Sequence, residues 1–474
     1  MSTVMAIMAT QGDTEVTRAL SKYVVEASYL DFPKETIELT KALLLKTVTG
    51  MVVGSKEPVG RRLTRYVSAS KGSPEVGLVG GGFRTSVDNA ALAHGTFAHA
   101  SEYEDDQFPG MVGTYWVYPA IFPLAEHLVS DGREIITAAA SCWEVAGRLG
   151  LAGDPITGMR GYEACSYYGV VATAAAAARL LKLDIGQTVN ALSLAASHSS
   201  GLICQIGTDG HFIESGHSCR AGVMVAVLAK DGATGQPDVL ERKGGLLDVA
   251  GVDVTPALLA KTTEDLGKPP FNVHKIWIKK YPCCFILHPG IDALKMLLQK
   301  NNIKYANVER LEVETTKFST DRCDRQPNNM WDIRFSFYHA LGEVLLRGDV
   351  DPSTFINEEK RVDPALNEAR SKVKVICHPE WPMTDSYVGE SAAKRTRLTL
   401  FTKDGKKYVG ELNEPSPGGP KNPLTSAQIV DIFKIGTAGI LDEKQQNRVA
   451  EIVMTLEKQR DILELMDILT FRRR

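Results

Sequence analysis

The stretch GVVATAAAAARLLKL, Gly169 to Leu183, decides the fold class. Its five consecutive alanines favour a helix and let a neighbouring helix axis approach closely. Arg179 and Lys182 interrupt the apolar run well before the ~20 residues that a bilayer span needs. The segment therefore reads as a buried central helix, and Ile185 to Ser197 reads as a second. Working outward, TRALSKYVVEAS, PKETIELTKALLLKTVTGMVVG and GREIITAAASCWEVAGRLG all place apolar residues at i, i+3, i+4 spacing. Thr425 to Thr470 reads as helical again, with Thr425 or Ser426 as N-cap.

Between these helical parts the period changes. NVERLEVETT (307–316) alternates, SKVKVICH (371–378) is rich in β-formers, and RLTLFTKDGKKYVGEL (397–412) reads as a hairpin turning at Asp404-Gly405. FSFYHALGEVLLRG reads as a helix ending at Gly348. The fold class is mainly α: a large all-helical domain with an inserted smaller α/β lid domain. Boundaries follow at 1–268 for the first helical part, 269–412 for the lid and 413–474 for the returning helical part, with NEPSPGGPKNP (413–423) as linker.

Composition narrows the function classes. The 474 residues carry 54 Lys+Arg against 57 Asp+Glu, and 44% are hydrophobic. That balance argues against nucleic-acid binding, which needs a basic surplus, and against disorder. The N-terminal MSTVMAIMATQGDTEV has no basic residues ahead of its short apolar stretch and does not read as a secretory signal. The eight cysteines follow no disulfide framework. A reduced, cytoplasmic protein with no membrane segment is expected.

Four windows can carry chemistry. HASEYEDDQFPGMVGTYWVYP (99–119) holds Glu102, Glu104, Asp105 and Asp106, then Tyr115, Trp116 and Tyr118. It is either a solvated acidic turn or the wall of a pocket, and the aromatics favour the pocket. MRGYEACSYYGVVATAAAAARLL (159–181) sets Glu163, Tyr167 and Tyr168 at the start of the alanine-rich helix, where backbone amides favour an anion; the tyrosines also read simply as packing. GTDGHFIESGHSCRAGVMVAVLA (207–229) carries His211 on a loop, Glu214, His217, and Arg220 near a helix start. Its spacing gives no third ligand for zinc, so no metal is expected. HKIWIKKYPCCFILHPGIDAL (274–294) carries Lys275, Lys279, Lys280 and the adjacent Cys283-Cys284, which is not a CxxC motif. P-loop, GxSxG and dinucleotide fingerprints are absent from the sequence.

These windows, in this order and spacing, resemble the MmgE/PrpD family, which includes 2-methylcitrate dehydratases, cis-aconitate decarboxylases and iminodisuccinate epimerases. The likeness covers nearly the whole chain. It rests on DNAALAHGTFAHASEYEDD, PAIFPLAEHL, WEVAGRLGLAG, the GYE to LLKLD stretch, ALSLAASHSSGL, SGHSCRAGV, IKKYPCCFILH and IRFSFYHALGEVLLRG. The resemblance implies a homodimer with its active site between helical domain and lid. It also implies proton transfer beside a carboxylate of a small acid, with no metal or organic cofactor.

Several positions depart from the family pattern. Glu102 stands where an Asp is usual, and Asp106 where a Thr is usual. Val112, Gly113 and Thr114 stand for a His-Pro-Ser, Glu163 for a histidine, His211 for a substrate-binding lysine and Cys284 for a histidine. Lys279 matches the lysine of K-x-[YF]-P. The resulting expectation is a cofactor-independent lyase, a dehydratase or decarboxylase, acting on a small organic acid other than the standard tricarboxylate. Its catalytic candidates are His211, Lys279, Glu163 and Asp106, and its substrate-binding candidates are Glu102, Tyr115, Tyr168, Cys284 and Lys280. The alternatives are an isomerase, epimerase or cyclising enzyme of the same family, and an inactive member that binds a ligand.

Overall fold

Amphipathic and small-residue segments form helices where their periodicity places them. The computed structural model describes residues 15–70, 72–381, 395–411 and 417–471. The N-terminal segment and the first part of the 413–423 linker lie outside the described residues. The chain divides into two compact units. One comprises the chain up to Ala100 with Glu104–Ile276 and Ile429 onward, and the other comprises Ser101–Tyr103 with Trp277–Gln428.

The first unit is helical. Its main elements are α1 (Val16–Glu26), α2 (Lys34–Gly54), α3 (Val87–Ala100), α4 (Gly132–Gly153), α5 (Ala164–Leu180), α6 (Ile185–Ala196) and α7 (Asp209–Lys230). Asp131 and Glu134 form a reciprocal capping box at α4, and Asp184 with Gln187 does the same at α6. The alanine-rich α5 is the centre: apart from Arg179, every one of its residues is buried. It packs on α4 and α7, while α7 also packs along α3. The α3–α7 crossing depends on two glycines. A Cβ on Gly216 would sit 2.2 Å from the Leu92 carbonyl oxygen, and one on Gly95 would sit 2.9 Å from the Gly216 Cα. Larger residues would push the two axes apart and move everything the helix ends carry. Within this unit the short strands β1 (Asp106–Gln107) and β2 (Val112–Gly113) pair antiparallel.

The second unit is α/β. It contains α8 (His288–Lys300), β3 (Val308–Thr315), α9 (Lys317–Cys323), α10 (Phe337–Arg347), α11 (Glu358–Arg361), α12 (Pro364–Ser371), β4 (Val373–Cys377), β5 (Thr396–Thr402) and β6 (Lys407–Glu411). The sheet order is β4-β3-β5-β6, with β3/β4 parallel and the other pairs antiparallel. Val308, Leu311, Val313, Leu398 and Leu400 are buried. The helix α8 packs against β5 and β6, and α10 packs against β4. Gly348 ends α10 in the left-handed region at φ 81°, and Gly405 turns the hairpin at φ 80°.

The C-terminal part is broken rather than continuous. A helix over Ser426–Gly436 starts at Thr425, whose hydroxyl accepts from the Gln428 N–H, and α13 (Glu443–Met454) and α14 (Leu463–Thr470) follow. Among the described residues no helix is long and apolar enough to cross a membrane.

Candidate active site

The acidic window is not a solvated turn. Glu102, Glu104, Asp105 and Asp106 are all buried, at 2%, 6%, 0% and 8% exposure. Four buried carboxyl groups in five positions demand partners, because an uncompensated buried charge costs several kcal/mol. The partners differ between the two units.

In the helical unit, Asp105 faces Lys46 of α2, with Nζ 3.9 Å from Oδ1 and both side chains buried. Asp106 opens β1 and accepts a hydrogen bond from the Tyr115 hydroxyl at 3.2 Å. Its strand partner is Gly113, where a Cβ would lie 2.7 Å from the Tyr115 ring and 2.8 Å from Asp106 Oδ1. The glycine makes room for that contact, and a residue with a side chain there would displace it.

His99, in the last turn of α3, is buried at the centre of an aromatic cluster. Its ring centroid lies 4.4 Å from Tyr115 and from Trp116, 4.3 Å from His211 and 4.8 Å from Phe212. His211 is not on a loop, as its glycine-containing neighbourhood suggested; it stands in the first turn of α7 and is buried. Its Nδ1 is 3.8 Å from Glu214 Oε2. Arg220 correspondingly falls in the middle of α7, where it pairs with Asp88 at 3.0 Å on a partly exposed surface.

Glu163 occupies the N-cap position of α5, buried, with its N–H donating to the Gly201 carbonyl at 3.1 Å. Burial raises its carboxyl above the ordinary range, opposed by the charge of His211 and by hydrogen bonds from Cys165. Burial, with the nearby Glu163 and Asp106 charges, keeps the Cys165 thiol protonated, and it donates to the Met111 carbonyl at 3.0 Å. The unit therefore brings Glu163 near His211, and His211 against His99, Tyr115 and Trp116. Tyr168 is directed elsewhere: its hydroxyl bonds Thr157 at 2.7 Å, and its phenol is pushed up to about 12 by burial.

The second unit holds the lysine window. Lys279 Nζ donates to Glu102 Oε2 at 2.9 Å, and both side chains are 3% exposed. Glu102 has φ 57°, a left-handed conformation that a non-glycine residue holds only under constraint, and such residues concentrate at functional sites. Lys279 also lies 5.2 Å from the Phe285 ring centroid. Cys284 follows; a hydrogen bond from the Cys323 thiol and the Lys279 charge hold its own thiol below the ordinary range, against burial. Lys280 belongs to a different cluster, donating to Asp292 Oδ1 at 2.8 Å, where the Tyr281 hydroxyl donates as well.

Sequence reasoning missed His99 and Lys46. His99 stood in a quoted window without being singled out, and the signal was its place one turn before four acids. Lys46 sits in a helix interior and is ordinary in pattern; its burial marks it.

Residues 18–258 match the MmgE/PrpD N-terminal domain, and residues 281–458 match the MmgE/PrpD C-terminal domain. The chain belongs to the MmgE/PrpD family. Among its relatives is a cis-aconitate decarboxylase of Aspergillus terreus (strain NIH 2624 / FGSC A1156), 22% identical over 459 residues that cover 93% of this chain and 92% of the relative. The cis-aconitate decarboxylase of Mus musculus is 23% identical over 457 residues, covering 92% and 88%. A cis-aconitate decarboxylase-like protein of Aspergillus oryzae (strain ATCC 42149 / RIB 40) is 24% identical over 492 residues, covering 98% and 99%. The family is thus matched along both parts of the chain, at an identity that leaves individual site residues free to differ.

Proposed function

We propose that this protein is a cofactor-independent lyase that removes water or CO₂ from a small organic acid by proton transfer beside a carboxylate. The observation that carries the reading is the buried Glu163 with its raised pKa, close to His211 at the start of α7. A buried carboxyl and an imidazole together supply a base and an acid for proton transfer. In a dehydration, one group takes the proton next to the carboxylate and the other protonates the departing hydroxyl. In a decarboxylation, the electron pair of the breaking C–C bond stays on carbon and a proton from the imidazolium quenches it. Lys279, which the family resemblance offers for a carboxylate, is paired with Glu102 within the second unit. Asp106, bonded to Tyr115, serves as an orienting group.

The substrate we propose carries fewer carboxylates than cis-aconitate, on which the relatives are named to act. Glu163, His211, Cys284 and Val112 replace cationic or histidine groups expected from the family pattern, while Tyr115 and Trp116 line the His99 cluster. An amine or an aromatic group on the substrate would suit them. On the same reading the chain associates as a homodimer. The partly exposed apolar Met224, Val227 and Leu228 of α7 support that, and light scattering on the purified protein checks it.

The test is turnover of a panel of mono-, di- and tricarboxylic acids after chelation, followed by NMR in D₂O. Release of water or CO₂ supports the lyase. Turnover of cis-aconitate at ordinary enzyme rates overturns the substrate proposal and keeps the lyase. Solvent deuterium incorporated without release replaces it with an isomerase, and no reaction with any acid overturns it.

A further inference from the structure

Glu214 has no part in the chemistry proposed above, yet it reaches both groups that do. It follows His211 at i+3 on α7, so the two side chains share a face of that helix within the helical unit. Oε2 of Glu214 lies 3.8 Å from His211 Nδ1, and both atoms are buried with no hydrogen-bond partner. That separation is longer than a hydrogen bond. Contacts between a catalytic imidazole and its carboxylate are often long before substrate binds and tighten when it does.

The other oxygen holds the backbone that seats Glu163. Oε1 accepts the Leu202 N–H at 3.0 Å. Leu202 bridges to Tyr162, the Gly201 carbonyl accepts the Glu163 N–H at 3.1 Å, and the Ile203 N–H donates to the Gly161 carbonyl at 3.0 Å. Gly201 is at φ 108°, and a Cβ there would stand 2.6 Å from Ser166 Cβ and 3.2 Å from Glu163 Cβ. The segment and Glu163 are therefore packed directly together. Burial raises the Glu163 carboxyl, the His211 charge opposes that rise, and the Glu214 charge adds to it.

The surroundings of His211 are otherwise mostly aromatic. Its ring meets His99 edge-on at 4.3 Å between centroids, Phe212 at 5.6 Å and Trp116 at 6.1 Å. A neutral imidazole carries one proton, and a carboxylate opposite one ring nitrogen draws the proton to that nitrogen. With Glu214 opposite Nδ1, the proton belongs on Nδ1 and Nε2 keeps its lone pair. The same carboxylate faces the positive charge that the ring gains when Nε2 takes a second proton.

We propose that Glu214 is the positioning residue of this site: through Oε2 it holds His211 as the Nδ1–H tautomer, leaving Nε2 to exchange the proton with substrate, and through Oε1 it fixes the segment that seats Glu163. The catalytic use of that tautomer rests on the proton-transfer reading above; the tautomer itself does not.

The test is ring-nitrogen NMR of the full chain carrying isotopically labelled histidine, at a pH where the His211 ring holds a single proton. The His211 signals are assigned by their loss in His211→Asn. The native chain is expected to carry that proton on Nδ1, a measurement that needs no folded Glu214 variant. Glu214→Gln keeps an oxygen for the Leu202 N–H but can present an amide N–H to Nδ1, so its His211 proton should move to Nε2; a carboxylate that only braced the backbone would leave the tautomer as it was. With the substrate found among the small acids, Glu214→Gln should lower kcat by about 10²-fold or more and change KM by less than about three-fold. A native His211 protonated on Nε2, or the same tautomer in native and Glu214→Gln chains, overturns the proposal whatever the enzyme turns over. A moved proton with unchanged kcat overturns the catalytic half of it. If none of the acids reacts, the lyase reading falls, and the tautomer still decides the place of Glu214.

Discussion

Replacing Lys279 by Met removes the Lys279–Glu102 ion pair, which joins the acidic window to the lysine window. The methionine keeps the length of the stem and removes the charge, leaving Glu102 buried opposite an apolar group. At 2.9 Å and an effective dielectric near 20, the gross attraction lost is about 6 kcal/mol. Removing one partner of a buried pair costs about 3–5 kcal/mol in practice. The alternative open to Glu102 is to take up a proton, which for an ordinary glutamic acid costs about 1.4 kcal/mol per pH unit above 4.3. That limits the loss to about 3.7 kcal/mol at pH 7 and about 1 kcal/mol at pH 5. The sign follows: the variant binds one more proton when folded, so its deficit grows as pH rises. Urea denaturation of the native chain, Lys279→Met, Glu102→Gln and the double variant, at pH 5 and pH 7, measures this. The double variant should recover most of the loss seen in Lys279→Met at pH 7. A deficit below 1 kcal/mol at pH 7, a deficit equal at both pH values, or a double variant no better than Lys279→Met would refute the reasoning.

Further outcomes follow from the same geometry. Glu163→Gln should lower turnover of the identified substrate by about 10²–10⁴-fold while the far-ultraviolet circular dichroism stays that of the native chain; unchanged turnover would remove Glu163 from the chemistry. Gly113→Ala should destabilise by about 1–3 kcal/mol, since the new Cβ meets the Tyr115 ring and Asp106, and urea midpoints measure it. Burial raises Glu343 from 4.5 to about 7, so its folded form holds a proton that its unfolded form releases. The stability present below pH 4.5 is lost as pH rises through 7, by at most about 3 kcal/mol. Glu343→Gln should therefore melt higher than the native chain at pH 8.5 and equally at pH 5.

The fold was legible because its signals are local. Five alanines, Ala174 to Ala178, favour a helix that neighbours can approach, and the alternation of Leu311, Val313 and Thr315 gives a strand with a buried face, which Val308 joins across the irregularity at Val308/Arg310. A start signal served equally well at Thr425. His211 was misplaced because Gly207 and Gly210 look like a loop, whereas α7 begins at Asp209 and runs through Gly210 under the hold of its packing against α3. Composition alone also left the acidic window undecided between water and a pocket, because the cations that permit its burial, Lys46 and Lys279, lie 59 and 174 residues away from Asp105 in sequence on either side. Tyr168 and Tyr167 illustrate the limit of adjacency: the Tyr168 hydroxyl turns to Thr157 while that of Tyr167 reaches the Leu246 carbonyl. Spacing named the candidates; long-range packing chose which of them meet.

The most direct measurement of the central claim is a proton NMR time course of the chelated enzyme in D₂O with a panel of small carboxylic acids, run beside Glu163→Gln and His211→Asn. The account predicts that one acid loses water or CO₂ and that both variants slow the reaction by at least 10²-fold. Full activity in both variants, or activity that appears only when a metal or organic cofactor is restored, would contradict it.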